Sequence, residues 1–251
     1  MNNKFKNCRY GVMLYNTVDQ YVGKSFEEYG EFSEGEAKIF REILQPGMTV
    51  LDVGANIGAH TVPMSKEVGD SGMVIAFEPQ RIVFQNLCAN VSLNSLTNVR
   101  TIHAAVGRSD SQVFIPDIDY SKEGNFGGIE LGEYESGEVV KVIPIDSLQL
   151  NRCDFIKADV EGFEIEVLLG AKKTIKTYKP VLYIENDRKE KAEELLGLIR
   201  SLGYTIYQHN TYLFNPDNYY KNDTNIFGRI VSINVLCVHN SIVQNIDLPQ
   251  V

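Results

Sequence analysis

A regular alternation of buried strand patterns and amphipathic helix patterns runs through the middle of this chain. The patterns predict strands at 49–53, 73–77, 99–106, 154–159 and 181–185, and helices at 57–68, 79–93, 163–178 and 189–202. Parallel strands need long crossover connections, and helices in those connections cover both faces of the sheet. The alternation therefore predicts a doubly wound α/β domain.

The residues before this alternation form a separate pattern. Residues 1–30 are rich in aromatic and β-branched residues with glycines between them, which predicts a hairpin-like lead-in. Ser33 and Glu36 have the spacing of a capping box, in which each side chain bonds the backbone N–H of the other residue at a helix start. We predict a lead-in hairpin and helix at 1–45, packed on a domain formed by residues 46–251.

Two regions depart from the alternation. Residues 107–152 contain short strand patterns on either side of a glycine-rich acidic stretch, GNFGGIELGEYESGE, and predict an insertion of hairpin and loop over one edge of the sheet. The last two strand patterns, at 204–208 and 231–238, have little helix between them. We therefore expect them to pair antiparallel.

Charge and composition exclude several classes of function. The 251 residues carry a formal net charge of -9, which argues against broad binding to nucleic acid or to an anionic membrane. The first residues, MNNKFKNCRYGVMLYN, lack an apolar run long enough for a signal peptide, and no later stretch predicts membrane insertion. We expect a soluble, cytoplasmic protein. The cysteines form no CxxC pair, so neither a zinc site nor a disulfide framework is expected; they are Cys8, Cys88, Cys153 and Cys237.

A glycine loop joins the first strand of the alternation to its helix. In VLDVGANIGAH, at 50–60, Gly54 allows the backbone to turn close to a ligand and Gly58 allows the helix to lie near the strand. Glu78 ends the next strand, where a carboxylate can accept hydrogen bonds from both hydroxyls of a ribose. Both features predict a site for an adenosine-containing cofactor.

Two cofactors compete for this loop. A dinucleotide site normally has GxGxxG, whose middle glycine admits a pyrophosphate, but Asn56 stands at that position here. Asp52 adds a negative charge beside the loop, which disfavours a pyrophosphate and suits a ligand with an ammonium and a sulfonium group. These residues favour S-adenosylmethionine over NAD. The alternative in which Asp52 caps a turn and both glycines only pack helix on strand stays open.

Two acids lie at the end of a later strand, in IKADVEGFEIEVLLGA at 156–171. Because a strand alternates its faces, Asp159 and Glu161 point to the same side. They lie at the carboxyl end of the strand, and in open α/β sheets that edge binds ligands.

These stretches together resemble the FkbM-type family of S-adenosylmethionine-dependent methyltransferases. The matching segments cover most of residues 29–185 and are YGEFSEGE, PGMTVLDVGANIGAHT, AFEP, IKADVEGFEIEVLLGA and KPVLYIE. The resemblance implies a class I methyltransferase (Rossmann-like) fold with a seven-stranded, mostly parallel sheet whose last strand is reversed. It further implies an O-methyltransferase acting on a sugar or on a glycosylated or polyketide natural product. The family pattern gives the cofactor's methionine end to Asp52, Gly54, Asn56 and Gly58 and its ribose to Glu78.

Methyl transfer to an alcohol requires an aligned oxygen that loses its proton. Asp159 is the first candidate to orient or deprotonate the acceptor hydroxyl, and Glu161 is the second. In an alternative role, both acids would bind a divalent metal such as magnesium, with Glu185 or Asn186 completing the ligands. In a third, Glu161 only accepts backbone N–H bonds at the helix start.

His209 follows a strand at a predicted rim and is a further candidate for substrate contact. The segment after it, at 209–228, is rich in aromatic and amide side chains, which suits either sugar recognition or an ordinary polar loop.

The sequence thus predicts a methyltransferase that acts on a hydroxyl, most simply that of a sugar in glycan or natural-product biosynthesis. A non-sugar small-molecule acceptor, an NAD-dependent oxidoreductase and a non-catalytic binding domain are the alternatives. The expected partners are the small-molecule or glycan acceptor and, through edge strands and the lead-in, a second copy in a homodimer.

Overall fold

A seven-stranded sheet forms the centre of the molecule, a computed structural model that describes residues 2–132, 134–242 and 246–251. Its strands are β3 (Thr49–Val53), β4 (Met73–Phe77), β5 (Val99–Ile102), β9 (Phe155–Ala158), β10 (Val181–Glu185), β11 (Tyr204–Tyr212) and β12 (Val231–His239). They lie in the order β11-β12-β10-β9-β3-β4-β5. The pairs among β3, β4, β5, β9 and β10 are parallel, whereas β12 is antiparallel to β10 and β11. The mostly parallel sheet with a reversed last strand is confirmed.

Helices cover both faces of this sheet. They are α1 (Val22–Tyr29), α2 (Glu34–Ile43), α3 (Thr61–Val68), α4 (Arg81–Leu93), α5 (Glu164–Leu169), α6 (Lys172–Tyr178) and α7 (Lys189–Ser201). Strands β3 and β9 are buried at every residue, as expected where helices pack on both sides.

Four predicted elements differ clearly from those observed, and one is the strand predicted at 204–208, which extends to Tyr212 as β11. The helix predicted at 57–68 begins only at Thr61, because Asn56 and Gly58 adopt positive φ angles of 52° and 89° that a helix cannot contain. The helix predicted at 163–178 is divided into α5 and α6, and the backbone carbonyl of Gly107 packs against Gly170 at the break. The strand predicted at 99–106 ends at residue 102 in the central sheet.

The lead-in contains the predicted hairpin and a further helix. Strands β1 (Asn3–Cys8) and β2 (Gly11–Asn16) pair antiparallel, and α1 and α2 follow. The expected capping box is wrong. Ser33 adopts a positive φ of 43°, and its hydroxyl donates to the Glu36 carboxylate at 2.6 Å instead of capping a backbone N–H. Glu36 is thereby turned into the interior, where it is 3% exposed.

The insertion and the end of the strand predicted at 99–106 together form a small sheet beside the central one. It consists of β6 (Ala105–Val106), β7 (Ser111–Ile115) and β8 (Glu138–Ile143), in the order β6-β8-β7. The loop between β7 and β8 reaches the lead-in, where Gly124 exchanges backbone hydrogen bonds with Val18 and Gln20. The proposed division into a lead-in at 1–45 and a domain at 46–251 with an insertion at 107–152 stays a prediction.

None of the helices in the described ranges is both long enough and apolar enough to cross a membrane. The four cysteines are free thiols, and three of them, Cys8, Cys153 and Cys237, are buried.

An aromatic cluster fastens α2 to the sheet. Phe40 is fully buried, and its ring centroid lies 5.0 Å from that of Tyr183 and 5.7 Å from that of Phe155. His60 completes the cluster at 5.3 Å. Because α2 contributes Glu36 to the interior, this packing also fixes the position of that carboxylate.

We expect Phe40→Ala to lower the free energy of unfolding by about 3–5 kcal/mol, because a fully buried ring is lost from a packed cluster. Urea denaturation measures this change. Phe5→Ala is the control: Phe5 is 70% exposed, so the free energy should change by no more than about 0.5 kcal/mol. An equally small change for both variants would show that α2 is not held to the sheet.

Candidate active site

A pocket opens at the carboxyl ends of β3, β4, β9 and β10. Its lining includes five of the eight predicted site residues, which are Gly54, Asn56, Glu78, Asp159 and Glu161. Asp52, Gly58 and His209 do not line it. The strand-end location agrees with the rule for ligand sites in open α/β sheets.

The turn at Gly54 depends on the absence of a side chain. Its φ is 78°, and a Cβ atom placed there would lie 1.9 Å from the backbone carbonyl oxygen of Asp159. Asn56 follows, also with a positive φ, and its side-chain oxygen accepts the N–H of Ile57 at 2.7 Å. The loop therefore brings the end of β3 against the end of β9, with the Asn56 side chain used to stabilise the turn.

Glu78 is held by two backbone bonds beside this loop. One carboxylate oxygen accepts the N–H of Asn56 and the other the N–H of Gln80, both at 2.9 Å. Each oxygen keeps a further lone pair, which can accept a ligand hydroxyl. Burial raises the pKa of Glu78 to about 7, although the two backbone bonds act in the opposite direction.

Asp52 and Gly58 lie outside the pocket lining and hold the glycine loop in place. The fully buried Asp52 accepts a hydrogen bond from the Thr61 hydroxyl at 2.6 Å and lies 3.8 Å from the Lys157 ammonium. Gly58 packs against Leu87 of α4, where a Cβ atom would lie 2.9 Å from a Leu87 methyl carbon. Both residues therefore shape the site without lining it.

Lys157 is a site residue that the sequence reasoning missed. It is 2% exposed, lines the pocket, and its ammonium donates to an Asp159 oxygen at 3.0 Å. Burial alone would lower the pKa of Lys157, but the carboxylates of Asp159, Asp52 and Glu36 outweigh it and raise the pKa. The alternation K-A-D along β9, which places Lys157 and Asp159 on one face, was the available signal.

The pKa values of Asp159 and Glu161 are shifted in opposite directions. Burial would raise the pKa of Asp159, but the Lys157 ammonium outweighs it, so the pKa is lowered. Burial and the Asp159 charge raise the pKa of Glu161 to about 7, against the effect of Arg188, to which Glu161 is ion-paired. Glu161 also has a positive φ of 54°, a conformation that non-glycine residues adopt rarely and that is often found at functional sites.

The helix-start role considered for Glu161 belongs to Glu164. One Glu164 oxygen accepts the N–H groups of Val160 and Gly162, both at 3.1 Å. Glu161 is therefore left to face the pocket and Arg188.

The carboxylates of Asp159, Glu161 and Glu185 provide oxygen atoms within 4.8 Å of one another. Oxygen ligands of this kind suit magnesium. Two of the three already have cationic partners, since Lys157 pairs with Asp159 and Arg188 with Glu161. Burial and the neighbouring acids raise the pKa of Glu185 well above its usual range, which favours a protonated, neutral Glu185.

The structure separates His209 from these groups. It lies on the edge strand β11, where its Nδ1 and the Tyr183 hydroxyl are hydrogen-bonded at 2.8 Å. The prediction that His209 contacts substrate has no support from this geometry. The amides that follow it are also used within the protein: Asn215 bonds Glu31, and Asn218 is fully buried within its own loop.

Apolar residues from outside the central strands also line the pocket. The lead-in and the two ends of the loop between β11 and β12 contribute Tyr21, Val22, Phe32, Leu213 and Ile230, and the insertion contributes Ile129 and Leu131. The Gln80 amide donates to the Phe126 carbonyl at 2.7 Å and so holds the insertion loop beside the pocket.

Comparisons with known proteins agree with this site. The sequence model of the Methyltransferase FkbM domain matches residues 52–206. Methyltransferase sdnD of Sordaria araneosa is 26% identical in an alignment of 154 residues, and the match covers 48% of this chain and 59% of that protein. Methyltransferase 1 of Beauveria bassiana (strain ARSEF 2860) is 27% identical in an alignment of 143 residues, and the match covers 48% of this chain and 57% of that protein. The chain thus spans less than two thirds of either relative.

Two solved structures share the fold. The crystal structure of Methyltransferase FkbM from Methylobacillus flagellatus KT has a TM-score of 0.52 and 19% identity, covering 80% of this chain and 50% of that one. Precorrin-6y C5,15-methyltransferase from Geobacter metallireducens GS-15 has the same TM-score and 14% identity, covering 80% and 86%. The class I methyltransferase fold is confirmed, and because the family match covers more than half of the chain, this protein belongs to the FkbM methyltransferase family.

Proposed function

We propose that this protein is an S-adenosylmethionine-dependent O-methyltransferase that methylates a sugar hydroxyl of a small, partly apolar acceptor. The charge of the pocket lining carries this proposal. Five acidic side chains line it against one lysine, and they are those of Glu36, Glu78, Asp159, Glu161 and Glu185. The pKa of Asp159 is lowered, whereas those of the other four are raised. A cationic ammonium or sulfonium favours the ionised form of such acids, whereas the pyrophosphate of a dinucleotide disfavours it.

The residues at the loop fit the donor. Glu78 has one free lone pair on each oxygen for the two ribose hydroxyls, and Gly54 leaves room where any side chain would collide with Asp159. Asp52 does not line the pocket; it accepts a hydrogen bond from the Thr61 hydroxyl and lies beside the Lys157 ammonium. When bound, S-adenosylmethionine supplies an electrophilic methyl group, which an oxygen nucleophile accepts while the sulfur leaves as a neutral thioether.

The two candidate catalytic acids take different roles in this proposal. Lys157 keeps Asp159 ionised, so Asp159 accepts a hydrogen bond from the acceptor hydroxyl and orients it. Glu161, with a pKa raised to about 7, is the better proton acceptor near neutral pH. A positioned base of this kind typically contributes about 10²- to 10⁴-fold to the rate.

The lining also constrains the acceptor. The acidic groups of the lining can bond the hydroxyl groups of an acceptor. The apolar lining residues Leu213, Ile230 and Ile129 can pack against a hydrocarbon surface of the same acceptor. A glycoside with an apolar aglycone has both hydroxyl groups and a hydrocarbon surface, whereas a free sugar has only the hydroxyl groups. A non-sugar alcohol with an apolar body is the second candidate, and comparing glycosides with their aglycones as acceptors distinguishes them.

We expect S-adenosylhomocysteine to bind in a calorimetric titration and NADH, followed by its fluorescence, not to bind. Glu78→Gln should weaken S-adenosylhomocysteine binding about tenfold, because a charge-assisted bond to the ribose is lost. Added magnesium should leave the affinity unchanged, since Lys157 and Arg188 already neutralise two of the three neighbouring carboxylates. Binding of NADH alone would refute the methyltransferase proposal, and a magnesium requirement would assign the carboxylates to a metal.

We expect kcat/KM to rise from pH 6 to pH 8 with an apparent pKa of about 7, because only ionised Glu161 can accept the proton and its pKa is raised to about 7. Glu161→Gln should lower kcat by about 10²- to 10⁴-fold and abolish this rise. The measurement uses the best acceptor from the glycoside comparison.

Two controls accompany this pH profile. The pKa of Glu78 is also raised to about 7, so the affinity for S-adenosylhomocysteine is measured over the same pH range to separate cofactor binding from proton transfer. Glu166→Gln, at a carboxylate outside the pocket that pairs with Arg108, should retain wild-type activity. A full pH profile in the Glu161→Gln enzyme would remove Glu161 as the base.

A further inference from the structure

Glu36 is a buried carboxylate with one free oxygen in the wall of the pocket. It lies on α2, outside the family match at 52–206, and is 3% exposed. One of its oxygens, Oε1, accepts hydrogen bonds from the hydroxyls of Ser33 at 2.6 Å and Ser232 at 2.8 Å. The other, Oε2, is buried and has no hydrogen-bond partner among the described residues. The carboxylate is therefore held in place with an unused acceptor.

His60 lies beside this free oxygen and is also incompletely bonded. Its Nε2 is 3.7 Å from Glu36 Oε2, and neither ring nitrogen has a hydrogen-bond partner within the described parts of the chain. The rings of Phe32 and Phe40 hold the imidazole at centroid distances of 5.7 and 5.3 Å. Burial lowers the pKa of His60 to about 4, so the neutral ring keeps one nitrogen as an acceptor.

Glu36 shares one ammonium with two other acids. The Lys157 ammonium donates directly to Asp159, while Asp52 and Glu36 interact with its charge. Burial raises the pKa of Glu36, and the Lys157 ammonium acts against this shift. A ligand cation at Oε2 would favour the ionised carboxylate further, whereas a ligand hydroxyl would satisfy the free oxygen without that electrostatic gain.

We propose that Glu36 Oε2 and His60 bind the α-ammonium group at the methionine end of the cofactor. An ammonium has three N–H donors, of which one reaches Glu36 and a second the acceptor nitrogen of His60. Ser33 and Ser232 position Glu36 for this contact. The lead-in helix thus completes the cofactor site from YGEFSEGE, a segment that also resembles the family but precedes the matched residues 52–206. This inference rests on the proposed use of S-adenosylmethionine.

The test compares two ligands by calorimetry: S-adenosylhomocysteine and its deamino analogue, which keeps the carboxylate but lacks the α-ammonium. Glu36→Gln should weaken binding of S-adenosylhomocysteine by about 10- to 100-fold and change binding of the analogue by less than about twofold, because charge-assisted bonds are the strong ones. Wild-type protein should itself prefer S-adenosylhomocysteine to the analogue.

Controls separate this contact from folding. Glu34→Gln, two residues earlier on α2 and ion-paired with Arg41, should bind both ligands like the wild type. The unfolding temperature of the ligand-free Glu36→Gln protein should stay close to that of the wild type, because the amide oxygen of Gln can still accept the hydroxyls of Ser33 and Ser232. If that variant does not fold, His60→Gln provides the same comparison between the two ligands, with a smaller selective loss of about 3- to 10-fold.

The outcomes distinguish the inference from the function on which it rests. Equal weakening of both ligands, or none, would overturn the role of Glu36 while leaving the methyltransferase proposal intact. Unchanged cofactor binding with a raised KM for the acceptor would assign Glu36 to the acceptor instead. If wild-type protein bound neither ligand, both proposals would fall.

Discussion

The buried ammonium of Lys157 is the interaction on which the arrangement of the site depends. Asp52 and Lys157 are neighbours in the parallel pairing of β3 with β9, and Asp159 follows two residues later on the same face of the strand. The ammonium lies 3.0 Å from Asp159 and 3.8 Å from Asp52. The ammonium charge lowers the pKa of Asp159 against the effect of burial and so keeps that carboxylate ionised beside the pocket.

Different parts of the chain contribute different residues to the pocket. The central strands supply the loop and the acids at their carboxyl ends, all within residues 52–206 that match the FkbM family model. The lead-in supplies Glu36 and the apolar Phe32, the insertion supplies Ile129 and Leu131, and β12 supplies Ser232. Residues outside the central strands thus contribute much of the lining, as is common where one fold supports many substrates.

The sequence predicted elements well where burial alone determines them and poorly where distant contacts do. Strands β3, β4 and β10 have the predicted bounds, because continuous apolar runs between turns have few other ways to be buried. The start of α3 was misplaced because the positive φ of Asn56 depends on its contact with the neighbouring strand ends. The prediction that Ser33 and Glu36 form a capping box was wrong because Glu36 accepts a hydrogen bond from Ser232, which lies far along the chain.

The sequence by itself determined the alternation of strands and helices, the glycine turn at Gly54, and the placement of Glu78, Asp159 and Glu161 at strand ends, because these follow from local periodicity and backbone conformation. Only the tertiary structure decided the charge states of those acids and the groups that lie beside them. Burial and ion pairs with Lys157 and Arg188 set their pKa values, and these partners are brought together by strand register and by loops from distant segments. The same packing placed His209 at an edge strand, away from the pocket, because side-chain direction across a sheet is fixed by pairing and not by sequence distance.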